Sequence, residues 1–274
     1  MNDLEYNFIK KNTLALTGIN LNSYKAPQMQ RRLTAYLTRS GQSDWPRFFR
    51  LLRTDPVALQ KFRDYLTINV SSFFRDWEKY QFLRQTVLPD LLKNRASLRV
   101  WSAGCSRGQE AYSVAILLAE AGQSDRSHQV VATDIDQSAL AWARAGGPYT
   151  AADVEYVSAD WRARYLTKRD DSFWVTSALR YQVMFRQHNL LTDSMAGKFD
   201  LIVCRNVVIY FKPETKDKLY RQFYESLRPG GVLYVGGTEM ISKAAEIGFE
   251  SIGTSFYRRK TAGYQHSRPL IPRK

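Results

Sequence analysis

The residues with the clearest chemistry follow the short apolar run Leu98–Trp101. This run ends in a small-residue loop that contains Gly104 and Gly108, and an amphipathic helix is predicted to begin near Gln109. The pattern is typical of the first strand–turn–helix unit of a doubly wound α/β domain, where small residues let a nucleotide approach the backbone. The loop lacks the three-glycine spacing that seats a pyrophosphate, so a dinucleotide is disfavoured.

Two acids indicate which nucleotide the loop suits. Glu110 opens the helix, where its carboxylate repels a phosphate and favours a ligand with hydroxyls and positive charge. Asp134 ends the next apolar run, Gln129–Asp134, in a position to accept hydrogen bonds from ribose hydroxyls. Asp134 as a helix N-cap is the alternative, but Asp136 or Ser138 can fill that role. The pattern therefore favours S-adenosylmethionine, which carries a ribose, an ammonium and a sulfonium.

Later segments continue the α/β pattern. Lys198–Arg205 is predicted to be a buried strand, and Leu227–Gly231 to be a helix exit that feeds another strand. The Pro-Gly-Gly turn there is typical of nucleotide-dependent methyltransferases. Ser172–Val175 and Arg180–Arg186 show strand-like alternation, which predicts a small antiparallel insertion near residues 160–187.

Helices are predicted for the first 92 residues. Pro27–Ser40 has one apolar face, and its polar side carries the arginines Arg31, Arg32 and Arg39. Asp55 and Asp76 are predicted N-caps of two further helices. The helix after Asp55 is predicted to turn these residues inward: Val57, Leu59, Phe62 and Leu66. We thus expect a small all-α domain over 1–92, a Rossmann-like domain over 93–260 and a disordered basic tail over 261–274.

Composition limits the compartment and the partners. No apolar stretch is long enough to span a bilayer, and no signal peptide is apparent, so we expect a cytoplasmic protein without membrane insertion. Two cysteines and three histidines without ligand spacing predict neither a disulfide framework nor a metal site. The formal charge of +14 predicts an acidic partner, which can be nucleic acid, an anionic membrane surface or an acidic protein. Nucleic acid is not favoured, because no aromatic-interleaved binding motif accompanies the charge.

Three more segments complete a recognisable set. They are Asn69–Arg75, Asn189–Asp193 and Arg205–Phe211. Taken in chain order with the glycine loop and Thr133–Asp136, these segments closely resemble the chemotaxis receptor methyltransferases (CheR-type) over about residues 5–260. The resemblance implies methylation of glutamate side chains on the cytoplasmic helices of methyl-accepting chemoreceptors. S-adenosylmethionine is then the cofactor and S-adenosylhomocysteine the product.

The resemblance also implies a set of site residues. Those at the cofactor would be Asn69, Ser71, Arg75, Ala103, Gly104, Glu110, Asp134, Asn189, Leu190, Arg205 and Asn206. It places Arg75 and Tyr210 beside the sulfonium, where they are candidates for orienting the incoming carboxylate. Ser71 stands where the family usually has Thr, and Gln109 where it usually has a second acid.

Each of these roles has a structural alternative. Arg75 can instead form an interdomain salt bridge, and Tyr210 can be a core aromatic residue with a satisfied hydroxyl. The arginines of Pro27–Ser40 are interpreted as a docking surface for acidic receptor helices, although most charge runs are solvated helix faces. We expect the protein to act as a monomer.

The region 165–175 bears on how the receptor is held. Family members that tether to a receptor's C-terminal pentapeptide use a β-subdomain loop with a glycine, and Tyr165–Val175 contains none. We therefore expect that this protein does not need the tether. Two other functions stay open from the sequence: a methyltransferase acting on RNA or another protein, and a signalling adaptor that binds the cofactor without transfer.

Overall fold

A computed structural model of the protein describes residues 1–67, 69–93, 95–121 and 128–261. The chain divides into two compact units. The first consists of Met1–Asn69 with Ile209–Lys216, and the second of Val70–Val208 with the residues from Asp217 onward. The functional division predicted near residue 92 stays a prediction. Apart from its first residue, the predicted disordered tail lies outside the described residues.

The first unit is helical. Its elements are α1 (Asp3–Thr17), a 3-10 turn (Leu21–Ser23), α2 (Ala26–Arg39), α3 (Trp45–Thr54) and α4 (Pro56–Thr67). Aromatic side chains form much of its core: the rings of Phe48 and Phe62 are both buried, and their centroids lie 5.1 Å apart. Asp55 caps α4 as predicted, since its Oδ1 accepts the N–H groups of Val57 at 2.8 Å and Ala58 at 3.0 Å.

The inward position predicted for Val57 is wrong. Its side chain is 62% exposed, whereas Phe62 and Leu66 on the same helix are buried. Val57 lies five residues before Phe62, which turns it roughly 140° away from that side chain at 3.6 residues per turn. An apolar residue in the first turn of α4 therefore faces water.

The second unit contains a seven-stranded sheet in the order β5-β2-β1-β6-β7-β9-β8. The strands are β1 (Arg99–Ala103), β2 (Gln129–Asp134), β5 (Val183–Gln187), β6 (Phe199–Cys204), β7 (Leu227–Val235), β8 (Phe249–Gly253) and β9 (Phe256–Arg259). The first five strands in this order are parallel, and β9 is antiparallel to both β7 and β8. A separate antiparallel hairpin consists of β3 (Leu166–Arg169) and β4 (Ser172–Val175). The predicted Rossmann-like fold class is confirmed.

Helices accompany these strands. They are α5 (Trp77–Phe82), a π-helix (Leu83–Val87), α6 (Leu88–Leu92), α7 (Gln109–Glu120), α8 (Gln137–Ala145), α9 (Ala159–Tyr165), α10 (Ser177–Tyr181), α11 (Pro213–Ser226) and α12 (Ala244–Ile247). Every residue of β6 is buried, because this central strand is covered on both faces. No helix among the described residues has the length and apolar character required to cross a membrane.

Two strand predictions need correction. Arg180 and Tyr181 belong to helix α10, and β5 is a parallel edge strand of the main sheet instead of part of the antiparallel insertion. Alternating burial is common to any strand with one covered face, so the sequence could not separate these cases. The Pro-Gly-Gly segment lies inside β7, where pairing shifts from Phe199–Leu227 to Leu201–Val232. The strand therefore begins before the turn, not after it.

Candidate active site

The glycine loop is fixed to the end of β2. The N–H groups of Gly104 and Cys105 both donate to the carbonyl of Thr133, at 2.8 and 2.9 Å. Gly104 has φ +87°, and a Cβ there would lie 2.5 Å from Cγ2 of Val207. Gly108 has φ +90° and precedes the first residue of α7. Both glycines are needed because an L side chain rarely adopts these backbone conformations.

Asp134 holds the next turn of this loop. Its Oδ2 accepts the N–H of Ser106 at 2.8 Å, and its Oδ1 accepts the N–H of Asp136 at 3.0 Å. The cap of α8 is Asp136, whose Oδ1 accepts the N–H groups of Ser138 and Ala139 at 2.9 and 3.2 Å. A carboxylate can accept about four hydrogen bonds, so Asp134 keeps capacity for a ribose hydroxyl. This arrangement fits the ribose of S-adenosylmethionine.

Glu110 is a buried carboxylate at the start of α7. Its side chain is 6% exposed, and its Oε1 accepts the hydroxyl of Ser102 at 2.7 Å. Burial raises the pKa of Glu110 to about 7 despite the nearby charge of Arg205. A cationic ligand would favour the ionised form, so this acid suits the positive charge of S-adenosylmethionine.

Arg205 follows β6 and is buried among aromatic rings. Its guanidinium carbon lies 5.3 Å from the ring centroid of Tyr80 and 5.0 Å from that of Tyr234. Its Nη2 donates to the carbonyl of Arg75 at 2.8 Å and forms an ion pair with Asp76. Arg205 thus anchors the segment Arg75–Asp76 to the carboxyl end of β6.

The predicted capping role of Asp76 is wrong. Asp76 occupies the N-cap position of α5 at φ +62°, but its side chain makes no capping hydrogen bond. Its carboxylate pairs with Arg205 instead. A buried guanidinium needs a counter-charge, and that need takes precedence over the local cap.

Asn206 lies directly after Arg205 and adopts φ +59°. Its N–H donates at 2.7 Å to Oε2 of Glu239, which also accepts the N–H of Gly236 at 2.7 Å. Glu239 is 1% exposed. Its two hydrogen bonds join the carboxyl ends of β6 and β7. Glu239 was not among the residues predicted from the sequence, although its place just after an apolar strand is a usable signal.

The segment Asn189–Leu190 folds into a tight turn. Oδ1 of Asn189 accepts the N–H of Leu191 at 3.0 Å, and its own N–H donates to Oδ2 of Asp193 at 2.8 Å. The preceding N–H of His188 donates to the carbonyl of Asp134 at 2.9 Å. This bond brings the turn to the end of β2, beside the glycine loop.

Two of the predicted site residues belong to the first unit. Asn69 donates through Nδ2 to Oγ1 of Thr67 at 3.2 Å. The carbonyl of Tyr210 accepts the N–H of Lys25 at 3.0 Å, and the Tyr210 side chain is half-buried. The second unit contains the rest of the predicted cofactor set: Ser71, Arg75, Ala103, Gly104, Glu110, Asp134, Asn189, Leu190, Arg205 and Asn206.

The three arginines predicted for docking differ in environment. Arg31 and Arg39 are exposed on α2. Arg32 is half-buried, its guanidinium lies 4.7 Å from the ring centroid of Tyr65, and it donates to the carbonyl of that residue. Tyr65 in turn donates its hydroxyl to the carbonyl of Arg32 at 3.0 Å. Arg32 therefore joins α2 to α4.

Comparisons with known proteins identify relatives of this chain. A family model described as CheR methyltransferase, SAM binding domain, matches residues 69–257, and one described as CheR methyltransferase, all-alpha domain, matches residues 4–67. A chemotaxis protein methyltransferase of Listeria monocytogenes is 40% identical over 241 residues, which cover 88% of this chain and 91% of that protein. Chemotaxis protein methyltransferase 1 of Pseudomonas aeruginosa is 36% identical over 236 residues, covering 82% and 86%.

A solved structure of the S-adenosylmethionine-dependent methyltransferase SibL is a more distant match. It has a TM-score of 0.37 and 20% identity, over 58% of this chain and 36% of that one. The two family models together span both the helical segment and the sheet domain with its glycine loop. The chain belongs to the CheR methyltransferase family, whose members use S-adenosylmethionine as the methyl donor.

Proposed function

We propose that this enzyme methylates glutamate side chains on the cytoplasmic helices of chemoreceptors and so forms glutamyl methyl esters in chemotaxis. It acts as a monomer in the cytoplasm, where these helices lie. When bound, S-adenosylmethionine supplies a methyl group on a positively charged sulfur. A receptor glutamate with an ordinary pKa of about 4.3 is already ionised at neutral pH. The protein therefore has to orient this carboxylate, not to deprotonate it.

The observation that carries the proposal is the number of guanidinium donors that Arg75 has available. Among the described residues, its guanidinium makes one hydrogen bond, from Nη1 to the carbonyl of Val70 at 3.2 Å. A guanidinium has five N–H donors, so most of them are left for an incoming carboxylate. Arg205 fixes the backbone of Arg75 from the other side, which limits the positions that this side chain can reach.

The exposed arginines of α2 support an acidic protein substrate. Arg31 and Arg39 project from a helix in a chain with a formal charge of +14. Positive charge of this kind accelerates encounter with acidic helices and is weakened by salt. In this proposal Arg31 and Arg39 guide the receptor, while Arg32 contributes through its contacts with Tyr65.

The test is methyl transfer from labelled S-adenosylmethionine to a purified receptor cytoplasmic fragment. Transfer that disappears when the fragment's methyl-accepting glutamates are replaced by alanine supports the proposal. Equal transfer to the substituted fragment contradicts it. Label incorporated into RNA but not into the fragment would also contradict it, and would favour the nucleic-acid alternative that the net charge raised.

Substitution of the two orienting residues is expected to slow transfer. Tyr210→Phe removes one hydroxyl donor and should lower kcat about tenfold. Arg75→Ala removes a charge-assisted donor and should lower kcat by roughly ten- to a hundredfold, with partial recovery in Arg75→Lys. The measurement is the steady-state rate of transfer with saturating cofactor and receptor fragment. Arg186→Ala is the control, because Arg186 is exposed on the edge strand β5. Unchanged kcat in both Tyr210→Phe and Arg75→Ala would show that neither residue orients the carboxylate.

We also expect no pentapeptide tether. The β3–β4 hairpin closes through the two residues Asp170 and Asp171, since Arg169 pairs with Ser172, and Asp170 takes φ +51° without a glycine. Titration calorimetry with a receptor C-terminal pentapeptide should give no saturable heat. Saturable one-to-one binding, abolished by substitutions in this hairpin, would show that the tether is used.

A further inference from the structure

Gln109 is a buried amide between the glycine loop and the segment that carries Ser71 and Arg75. Its side chain is 3% exposed at the first position of α7. Its Nε2 donates to the carbonyl of Ser71 at 3.3 Å and to Oδ1 of Asp153 at 3.1 Å. One amide group therefore joins a backbone carbonyl of the site to a carboxylate outside it.

Asp153 is held firmly on its other side. Its Oδ2 accepts the N–H of Thr150 at 2.8 Å and the hydroxyl of the same residue at 2.9 Å. Its backbone carbonyl accepts the N–H of Phe73 at 2.8 Å. Asp153 thus holds the segment directly at Phe73 and, through Gln109, at Ser71.

Helix α7 supplies a third attachment. The N–H of Phe74 donates to Oγ of Ser113 at 2.9 Å, and that hydroxyl donates to the carbonyl of Gln109 at 2.7 Å. Phe73 and Phe74 are both fully buried. The segment before Arg75 is therefore bonded at three residues: Ser71, Phe73 and Phe74. The bonds at Ser71 and Phe73 are made by Gln109 and by its partner Asp153.

We propose that Gln109 and Asp153 are a positioning pair that fixes the segment Ser71–Arg75 against the glycine loop. The amide is essential because it can donate to two acceptors at once. An acid at position 109 would instead face the Asp153 carboxylate and the Ser71 carbonyl, and like charges at this distance repel. This inference rests on the proposed roles of Ser71 and Arg75.

Among the described residues, two acids lie beside Gln109. Asp153 faces its amide, and Glu110 is the next residue along α7. Arg107 precedes the helix, but its guanidinium carbon lies 4.5 Å from the ring centroid of Trp142. A carboxylate introduced at position 109 would therefore meet Asp153 first.

The test is a charge exchange. Gln109→Glu should lower methyl transfer to the receptor fragment at least tenfold at pH 8. Its rate relative to wild type should recover in part at pH 6, where protonation of the introduced Glu restores one donor. The double variant Gln109→Glu with Asp153→Asn should recover part of the lost rate at pH 8, because it removes the repulsion but leaves the Ser71 carbonyl without its donor. Its asparagine amide then donates to the new carboxylate, while its oxygen keeps the Thr150 bonds. Comparing Gln109→Glu with the double variant at each pH separates the Asp153 contact from the titration of Glu110, because both variants carry the added carboxylate.

Hydrogen exchange gives a readout that needs no turnover. In the cofactor-free protein, the amides of Phe73 and Phe74 should exchange about tenfold faster in Gln109→Glu and slow again in the double variant. Gln85→Glu, at an exposed position of the π-helix, controls for the added charge. Wild-type transfer by Gln109→Glu at pH 8 would overturn the proposal, as would a double variant no better than the single one.

A second variant covers the case in which Gln109→Glu does not fold. Gln109→Met removes both hydrogen bonds without adding charge, so its loss of transfer should be independent of pH. Wild-type transfer by Gln109→Met would overturn the pair. Ser71→Ala and Arg75→Ala separate the two proposals: if neither reduces transfer, the site assignment fails, and if both do while the Gln109 series has no effect, this inference alone fails.

Discussion

Glu110→Gln is expected to make the cofactor-free protein more stable at pH 8 by about 3 kcal/mol and to weaken S-adenosylmethionine binding at least tenfold. The stability gain follows from burial, which raises the pKa of Glu110 to about 7 from an ordinary value near 4.5. Each unit of pKa difference is worth about 1.4 kcal/mol. The loss of binding is expected because, in the proposed site, Glu110 supplies the negative charge for a cationic ligand.

The raised pKa of Glu110 also sets how the folding stability of the wild type depends on pH. The folded protein holds the Glu110 proton more tightly than the unfolded chain, so the wild type loses stability as pH rises from about 4.5 to about 7. The advantage of Glu110→Gln should therefore be absent at pH 4.5, increase up to pH 7 and stay constant above it. Urea unfolding at several pH values measures this difference, and calorimetry measures cofactor affinity.

Glu155→Gln is the matched control for this experiment, because Glu155 is an exposed acid in the same unit. Its effect on stability should stay within about 0.5 kcal/mol at every pH. A Glu110→Gln protein no more stable than wild type at pH 8 would contradict the buried, destabilising carboxylate. Unchanged cofactor affinity would contradict its role at the site.

Asp200→Asn should cost about 3 kcal/mol of folding free energy without affecting the chemistry. Asp200 is fully buried on β6 and contacts the guanidinium groups of Arg95 at 2.9 Å and Arg228 at 2.8 Å. Its Oδ2 also accepts the N–H of Arg99 at 2.8 Å. Asp200→Asn removes the buried charge that both guanidinium groups contact, and it places an amide NH2 group, itself a donor, beside those cations.

The loss of stability in Asp200→Asn can be separated from an effect on methyl transfer because of where Asp200 lies. Asp200 lies near the start of β6, at the opposite end of the strand from Arg205. Urea unfolding should show the loss, while methyl transfer per folded molecule stays at the wild-type level. Asp171→Asn, in the exposed hairpin turn, should change stability by less than about 0.5 kcal/mol. Wild-type stability in Asp200→Asn would show that the cluster contributes nothing.

The sequence predicted those features that depend on local pattern. The strand Gln129–Asp134 has the bounds expected from its apolar run, and α7 begins at Gln109 as predicted. The glycines of the loop could be assigned because a sharp backbone turn needs them whatever surrounds it. Asp134 could be separated from the cap of α8 because a better capping residue follows it.

Features that depend on residues far apart in sequence were not predictable. The strand β5 pairs with β2 across about fifty residues, and its alternating pattern fits either sheet. Asp76 looks like a cap until Arg205, from the end of β6, supplies a stronger partner. Gln109 stands where the family usually has an acid, and the contact between its amide and Asp153 is visible only in the folded chain.

The most direct test of the central claim is the chemistry of the bond that is formed. A glutamyl methyl ester is cleaved by mild alkali, whereas methylated amines and methylated nucleobases are stable to it. Labelled methyl groups transferred to a receptor fragment should therefore be released as volatile methanol on alkaline treatment. Label that stays bound to the fragment after alkali would contradict carboxyl methylation and assign this enzyme a different acceptor.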